Sequence, residues 1–141
     1  MTISMADVSL TFDMGSFDMV QEALLDLLAN AKAQGFDALQ SLSLDIMGES
    51  LNQVPEDTGA LASTAFIDAD DESNITIGYN GMTAINPKTD KFVADYIIQV
   101  HEDLSAFHPK GKAKFFEDPI IEAAFNFEST IAEAVAKALL D

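Results

Sequence analysis

A chain of 141 residues with 24 acidic side chains against 7 lysines carries a formal charge of −17, which excludes an electrostatic attraction to duplex DNA. Its 48% apolar content with ten phenylalanines excludes a disordered polyanion, and no apolar run approaches the roughly 20 residues that cross a bilayer. The absence of cysteine removes disulfides and thiolate chemistry. A chain of this length is expected to form one domain, burying roughly two-thirds of its unfolded surface. Residues 1–7 lack a basic stretch followed by an apolar one, so no secretion signal is expected.

Val8, Leu10, Phe12 and Met14 alternate with Ser9, Thr11 and Asp13, which predicts a strand within residues 1–15 that Gly15 and Ser16 end. From Asp18 the period changes. Val20, Leu24, Leu27, Ala31, Gly35, Leu39, Leu42 and Ile46 recur at spacings of three and four, predicting a helix over 18–52 with Asp18 as cap and Gln21 completing a capping box. The stripe keeps phase through Gly35, so one continuous helix of about 50 Å is expected, longer than a compact domain of this size is wide. Ser41 to Ile46 also alternates in the manner of a strand.

Pro55 stops the helix because the residue before a proline avoids the α region, and Asp57-Thr58-Gly59 supplies turn chemistry. A hairpin over 60–79 is expected next, with Leu61, Ser63, Ala65 and Ile67 on one face and Ile75, Ile77 and Tyr79 alternating in the second strand. The acidic loop between them, Asp68, Asp70, Asp71 and Glu72, lacks the glycine and glutamate positions of a calcium-binding EF-hand loop, and no metal is assigned. Asn80 to Lys91 is expected to be a long exposed loop, 92–104 a short helix, and 118–140 a helix whose stripe is Ile120, Ala124, Phe127, Ile131, Val135 and Ala138. Asp118-Pro119 starts it with a cap residue and a proline in the first turn. The fold class expected is α+β, a long N-terminal helix and a C-terminal helix packed on a small antiparallel sheet.

Asp57-Thr58-Gly59 is also the tripeptide of the aspartic proteases, whose carboxylate needs a buried apolar strand before it and a second copy beside it. Here Pro55 and Glu56 stand where that strand belongs. His101-Glu102 begins a zinc-protease helix motif, but Ser105 takes the place of its second histidine and His108 lies out of phase. No catalytic, cofactor-binding or metal-ligating residue is assigned, and Pro55, Asp57, Thr58 and Gly59 are read as a structural junction between helix and hairpin. Asp57 is expected to cap or brace that turn.

Three segments recur in order: Val54 to Ser63, Ala94 to Glu102 and Lys112 to Glu117. Together, over Asp18 to Leu140, they make the chain resemble the neck or tail-completion family of long-tailed bacteriophages, whose members are also described as minor capsid or tail-component proteins. The family's arginine after the junction leucine is replaced by Ala62, and its Tyr-Ala pair by Asp95-Tyr96-Ile97 preceded by Ala94. The resemblance implies a virion structural protein, not an enzyme, made in the host cytoplasm and assembled as a homo-oligomeric ring, hexameric by expectation, at the head–tail junction. Its partners would be itself, the head-completion proteins and the tail terminator or tail tube, with no cofactor, no membrane and no sequence-specific nucleic acid. Six copies would sum to roughly −100 around the DNA path, a surface to which a polyanion does not stick. Tyr96, His101, Phe107, His108, Lys110, Lys112 and Lys114 are the expected interface residues. A soluble acidic binding module and, more remotely, an aspartic-type protease are the competing readings.

Overall fold

The computed structural model describes the backbone of residues 2–4, 9–11, 14–70 and 74–140. Two short strands, β1 (Thr2–Ser4) and β2 (Ser9–Thr11), pair antiparallel ahead of α1, which runs unbroken from Met14 to Gln53. The helix starts four residues before the predicted position. Gly15 and Ser16 lie inside it, so Asp18 sits in its second turn and caps nothing. Of the predicted N-terminal strand, Ser9, Leu10 and Thr11 form β2 and Met14 is helical, while Val8, Phe12 and Asp13 lie outside the described residues. At about 1.5 Å per residue α1 is roughly 60 Å long.

After α1 the chain turns at Pro55 to Ala60, passes through a single 3₁₀ turn at Ala62–Thr64, and forms β3 (Ala65–Ala69) paired antiparallel with β4 (Ile75–Tyr79). Residues 61–64 are therefore not the start of the first strand, as their alternation suggested. The Ser63 hydroxyl donates to the Ala60 carbonyl and the Thr64 hydroxyl to the Leu61 carbonyl, each at 2.7 Å, and these local bonds hold the chain curled until Ala65. The segment predicted as one exposed loop contains a second hairpin, β5 (Ile85–Asn86) against β6 (Lys91–Phe92), with Asp90 at φ 57° closing its turn. The predicted 92–104 helix is a 3₁₀ turn at Val93–Asp95 followed by α2 (Ile97–Glu102). The last helix, α3, spans Glu117–Leu140, with Glu117 and Asp118 in its first turn where carboxylates favour the helix dipole. The fold is α+β as expected, with a long N-terminal helix and a C-terminal helix, and among the described residues its β component is three two-stranded antiparallel ribbons in place of one small sheet.

The core is small and sits at the C-terminal end of α1. Val54, Ala60, Leu61, Val93 and Phe115 are buried together, with Tyr79, Ala84, Tyr96, Ile97, Val100 and Phe116 packed around them. Phe115 is the hub. The ring of Tyr79 meets it edge-on at 5.4 Å and that of His101 at 5.0 Å, while the Tyr79 hydroxyl shares a 2.6 Å hydrogen bond with the buried Ser50 of α1. Burial holds the Tyr79 phenol above its ordinary pKa, although that hydrogen bond pulls the other way.

α3 packs back along α1 in the opposite direction. Gly35 of α1 faces Val135, Asn30 donates to the Ala138 carbonyl, and Leu42, Asp45 and Ile46 lie beside Pro119, Glu122 and Ala123. Only part of the predicted α3 stripe is covered: Ala138 is buried and Ile131 and Val135 half-buried, but Ile120, Ala124 and Phe127 are exposed. Pro119, Ala123, Thr130 and Ala134 take up the contact instead. Because α3 ends at Leu140, residues 14–29 of α1 extend beyond it by roughly 24 Å. Among the described residues no helix is long and apolar enough to cross a membrane.

Candidate functional site

The residues singled out from sequence converge on the α1–core end of the molecule. Pro55 leads out of α1 and Gly59, at φ 82°, makes the turn that a side chain would strain. Thr58, rather than Asp57, braces it, its hydroxyl accepting from the Ala60 amide at 3.3 Å. Asp57 instead points outward and forms an exposed ion pair with Lys88 of the β5–β6 turn. The expected capping role of Asp57 is therefore corrected to a surface tether between two turns. Its carboxylate is solvated and held by a cation, the reverse of the desolvated, proton-sharing state that aspartyl chemistry needs.

The lysine segment also differs from expectation. Lys110 pairs with Glu56, Lys112 with Asp118, and Lys114 with both Glu102 and Glu117, the last at 2.7 Å. Gly111, at φ 87°, lies so close to the end of α1 that an added Cβ would come within 2.6 Å of the Gln53 and Val54 carbonyls and the Pro55 nitrogen. The Lys112 amide donates to the Gln53 carbonyl and the Lys114 amide to that of His101, both at 2.8 Å. This segment is a strap tying α3 to α1 and α2. Its lysines, taken from sequence as interface cations, are satisfied within the chain.

His101 is part of the same tie. Its Nε2 accepts from the Glu117 amide at 3.2 Å, at the exposed start of α3, while its Nδ1 faces a Glu102 carboxylate oxygen at 2.7 Å. With Nε2 accepting, Nδ1 is left to donate to Glu102. His101, Glu102 and Glu117 bring three ligand atoms within 4.8 Å of one another, a metal-like cluster, but the Lys114 ammonium already supplies the cation both carboxylates face. Hydrogen bonds from Lys114 and then His101 hold Glu102 below the usual carboxylate range, and Glu102 and Glu117 hold Lys114 above its ordinary value. Asp103 is likewise lowered, by the hydroxyl and amide of Ser105.

Beside the turn lies a cavity of about 360 Å³, open on one side and walled mainly by apolar groups. Pro55 to Leu61 form one wall, Tyr96, Val100, His108 and Pro109 another, and Asn86, Thr89 and Lys91 the rim. Tyr96 and His108 are half-buried, and the His108 Nε2 atom is buried with no hydrogen-bond partner among the described residues. Lys91 has no ion pair among them either. Phe107 projects from the neighbouring loop at 87% exposure, with Leu104 at 78% and Ile98 at 71% beside it in sequence. The cavity and its rim lysine were not singled out from sequence, because the cavity's walls come from segments up to 55 residues apart, Pro55 to Lys110.

No protein-family model matches this chain, and no curated protein and no solved structure is significantly similar to it.

Proposed function

We propose that this protein is a structural component of a tailed bacteriophage virion, assembling as a homo-oligomeric ring at the head–tail junction. The observation that supports the reading is that the three segments carrying the family resemblance are not scattered over the surface but pack into one hub. Val54 and Leu61 of the first, Tyr96, Val100 and His101 of the second, and Lys114, Phe115 and Phe116 of the third meet around the Phe115 ring. Residues that recur as a set are then residues that build one shape, and the shape is a fixed angle between a long helix and a compact head.

The surface is consistent with a subunit. The chain exposes 9774 Å² of accessible surface, where a monomeric protein of this mass exposes about 7,100 Å². The excess, about 2,700 Å², exceeds one standard interface. Mass measurement of the purified chain, with antibody labelling of tailed particles, tests the proposal: a closed oligomer and label at the neck are expected. A strict monomer that never enters particles would overturn it. The alternative, an acidic module that binds a small partner, draws on the cavity beside the turn and predicts a monomer at every concentration.

A further inference from the structure

Asparagine meets glycine once in this chain, at Asn80-Gly81, immediately after β4. Glycine has no Cβ to keep its backbone nitrogen away from the preceding carboxamide. Elsewhere Ala31, Gln53, Ile75 and Phe127 follow the asparagines and put a side chain in the way, while Pro87, after Asn86, has no N–H to react.

The fold holds the pair in a reactive shape. The Asn80 backbone is pinned on both sides: its amide donates to the Thr64 carbonyl at 2.8 Å, and its carbonyl accepts from the Thr83 amide at 3.0 Å and the Thr83 hydroxyl at 2.8 Å. Its side chain is exposed and turned back over the next peptide, with Oδ1 accepting from the Met82 amide at 3.2 Å. That bond aims a donor at the oxygen that takes up negative charge when a nucleophile adds to the Asn80 Cγ. The Gly81 nitrogen and the Asn80 Nδ2 make no hydrogen bond among the described residues, so neither nucleophile nor leaving group is tied down. Gly81 is also irreplaceable here, because a Cβ on it would lie 2.4 Å from the Ala94 nitrogen and 2.6 Å from its Cα.

We propose that Asn80 is a self-modification site, at which the folded chain converts its own carboxamide into a carboxylate with water as the only co-reactant. The Gly81 nitrogen adds to the Asn80 Cγ, the Cγ–Nδ2 bond breaks, and Nδ2 departs as ammonia with the Gly81 proton, leaving a five-membered succinimide. Water then opens the ring, and nothing is oxidised or reduced. Cleavage of the new N–Cγ bond gives aspartate with the backbone intact; cleavage at the Asn80 carbonyl carbon gives isoaspartate, with one more methylene in the main chain. The packing selects between them. Aspartate keeps the acceptor for the Met82 amide, whereas the extra methylene displaces Gly81, whose carbonyl accepts from the Ala94 amide at 3.0 Å and whose Cα has no room to move toward Ala94. Each event adds one negative charge at the end of β4, next in sequence to Tyr79 of the core.

The folded chain and the same chain unfolded in urea, incubated in one mildly alkaline buffer and mapped by peptide mass with enzymatic methyl labelling of isoaspartate, test this. A carboxylate should appear at Asn80 at least about tenfold faster than at any of the other five asparagines, and faster in the folded chain than in urea. The isoaspartate share should be smaller in the folded chain. Asn80→Gln, which needs a larger ring, should abolish the reaction, and Asn80→Asp should leave the urea midpoint unchanged. A reaction slower in the folded chain than in urea, an equal isoaspartate share in both, or a lowered midpoint for Asn80→Asp would overturn the proposal.

Discussion

Gly111 does more for the fold than any residue of the Asp-Thr-Gly turn, and for a reason that only its neighbours reveal. Its φ of 87° and the Gln53, Val54 and Pro55 backbone atoms against its missing side chain apply two independent penalties to any replacement. Gly111→Ala is therefore expected to lower stability by about 2 kcal/mol or more in urea unfolding. Gly48, inside α1 with open space where a Cβ would stand, is the counter-case, and Gly48→Ala is expected to raise stability by about 0.5–1 kcal/mol. Equal effects at the two sites would show that the strap does not press on α1. The ion cluster at the same joint predicts a pH limit. The Glu102 carboxyl is lowered, so its contribution is present above the ordinary carboxylate range and is lost as pH falls through the folded-state value. Lys114 is raised, so its contribution is present below the ordinary ammonium value and lost only as pH rises through a higher one. Between those limits the cluster is intact. Glu102→Gln should thus shrink the loss of stability between about pH 5 and pH 3 and leave the alkaline limb to Lys114 and Glu117, measured as urea midpoints against pH.

Between elements, the joint that matters most ties α1 to β4 through Ser50 and Tyr79. Ser50 is fully buried, so Ser50→Ala strips a partner from a phenol that burial already disfavours in its charged form, and a loss of about 1–2 kcal/mol is expected. The double variant with Tyr79→Phe should lose less than the sum of the two single changes, with a coupling of about 1 kcal/mol from a denaturation cycle; strict additivity would mean that the two hydroxyls do not share a bond. Elements were legible in the sequence where one local period governed them. α1 was readable through Gly35 because its stripe never changes phase, and α3 because Asp118 and Pro119 mark its start within a residue. Leu61 to Thr64 misled because they run without a break into the apolar residues of β3, whereas here the adjacent Ser63 and Thr64 hydroxyls bond the carbonyls of their own turn. β5 and β6, two residues each, are too short to show any period. Of the candidate site, the turn Pro55 to Gly59 and the side chains Tyr96 and His108 were legible one by one, but neither the cavity they enclose nor its charges were: Lys110 finds Glu56 54 residues away and Lys88 finds Asp57 31 away, pairings no spacing rule discloses.

At the scale of the whole molecule two electrostatic effects oppose each other, and their sizes decide the response to salt. The ion pairs at Asp57, Glu56, Asp118, Glu102 and Glu117 are exposed, and such pairs contribute roughly 0–1 kcal/mol each, less as salt rises. Against them stands a surplus of 17 negative charges, which folding forces closer together than they lie in the extended chain. At about 10 mM ionic strength the screening length is roughly 30 Å, half the length of α1, so most carboxylates repel one another; near 1 M it is roughly 3 Å and only direct pairs remain. The surplus acts over many pairs and the bridges over few, so the balance favours screening. Tm is expected to rise with NaCl, by several °C if about 1 kcal/mol of repulsion is removed. Because assembly also raises Tm by mass action, the measurement belongs at a chain concentration where sedimentation shows the monomer, which separates folding from association. A Tm that falls with NaCl under those conditions would mean the strap's ion pairs outweigh the net charge, and the exposed acidic surface would then be a consequence of the fold's local pairing rather than a load on it.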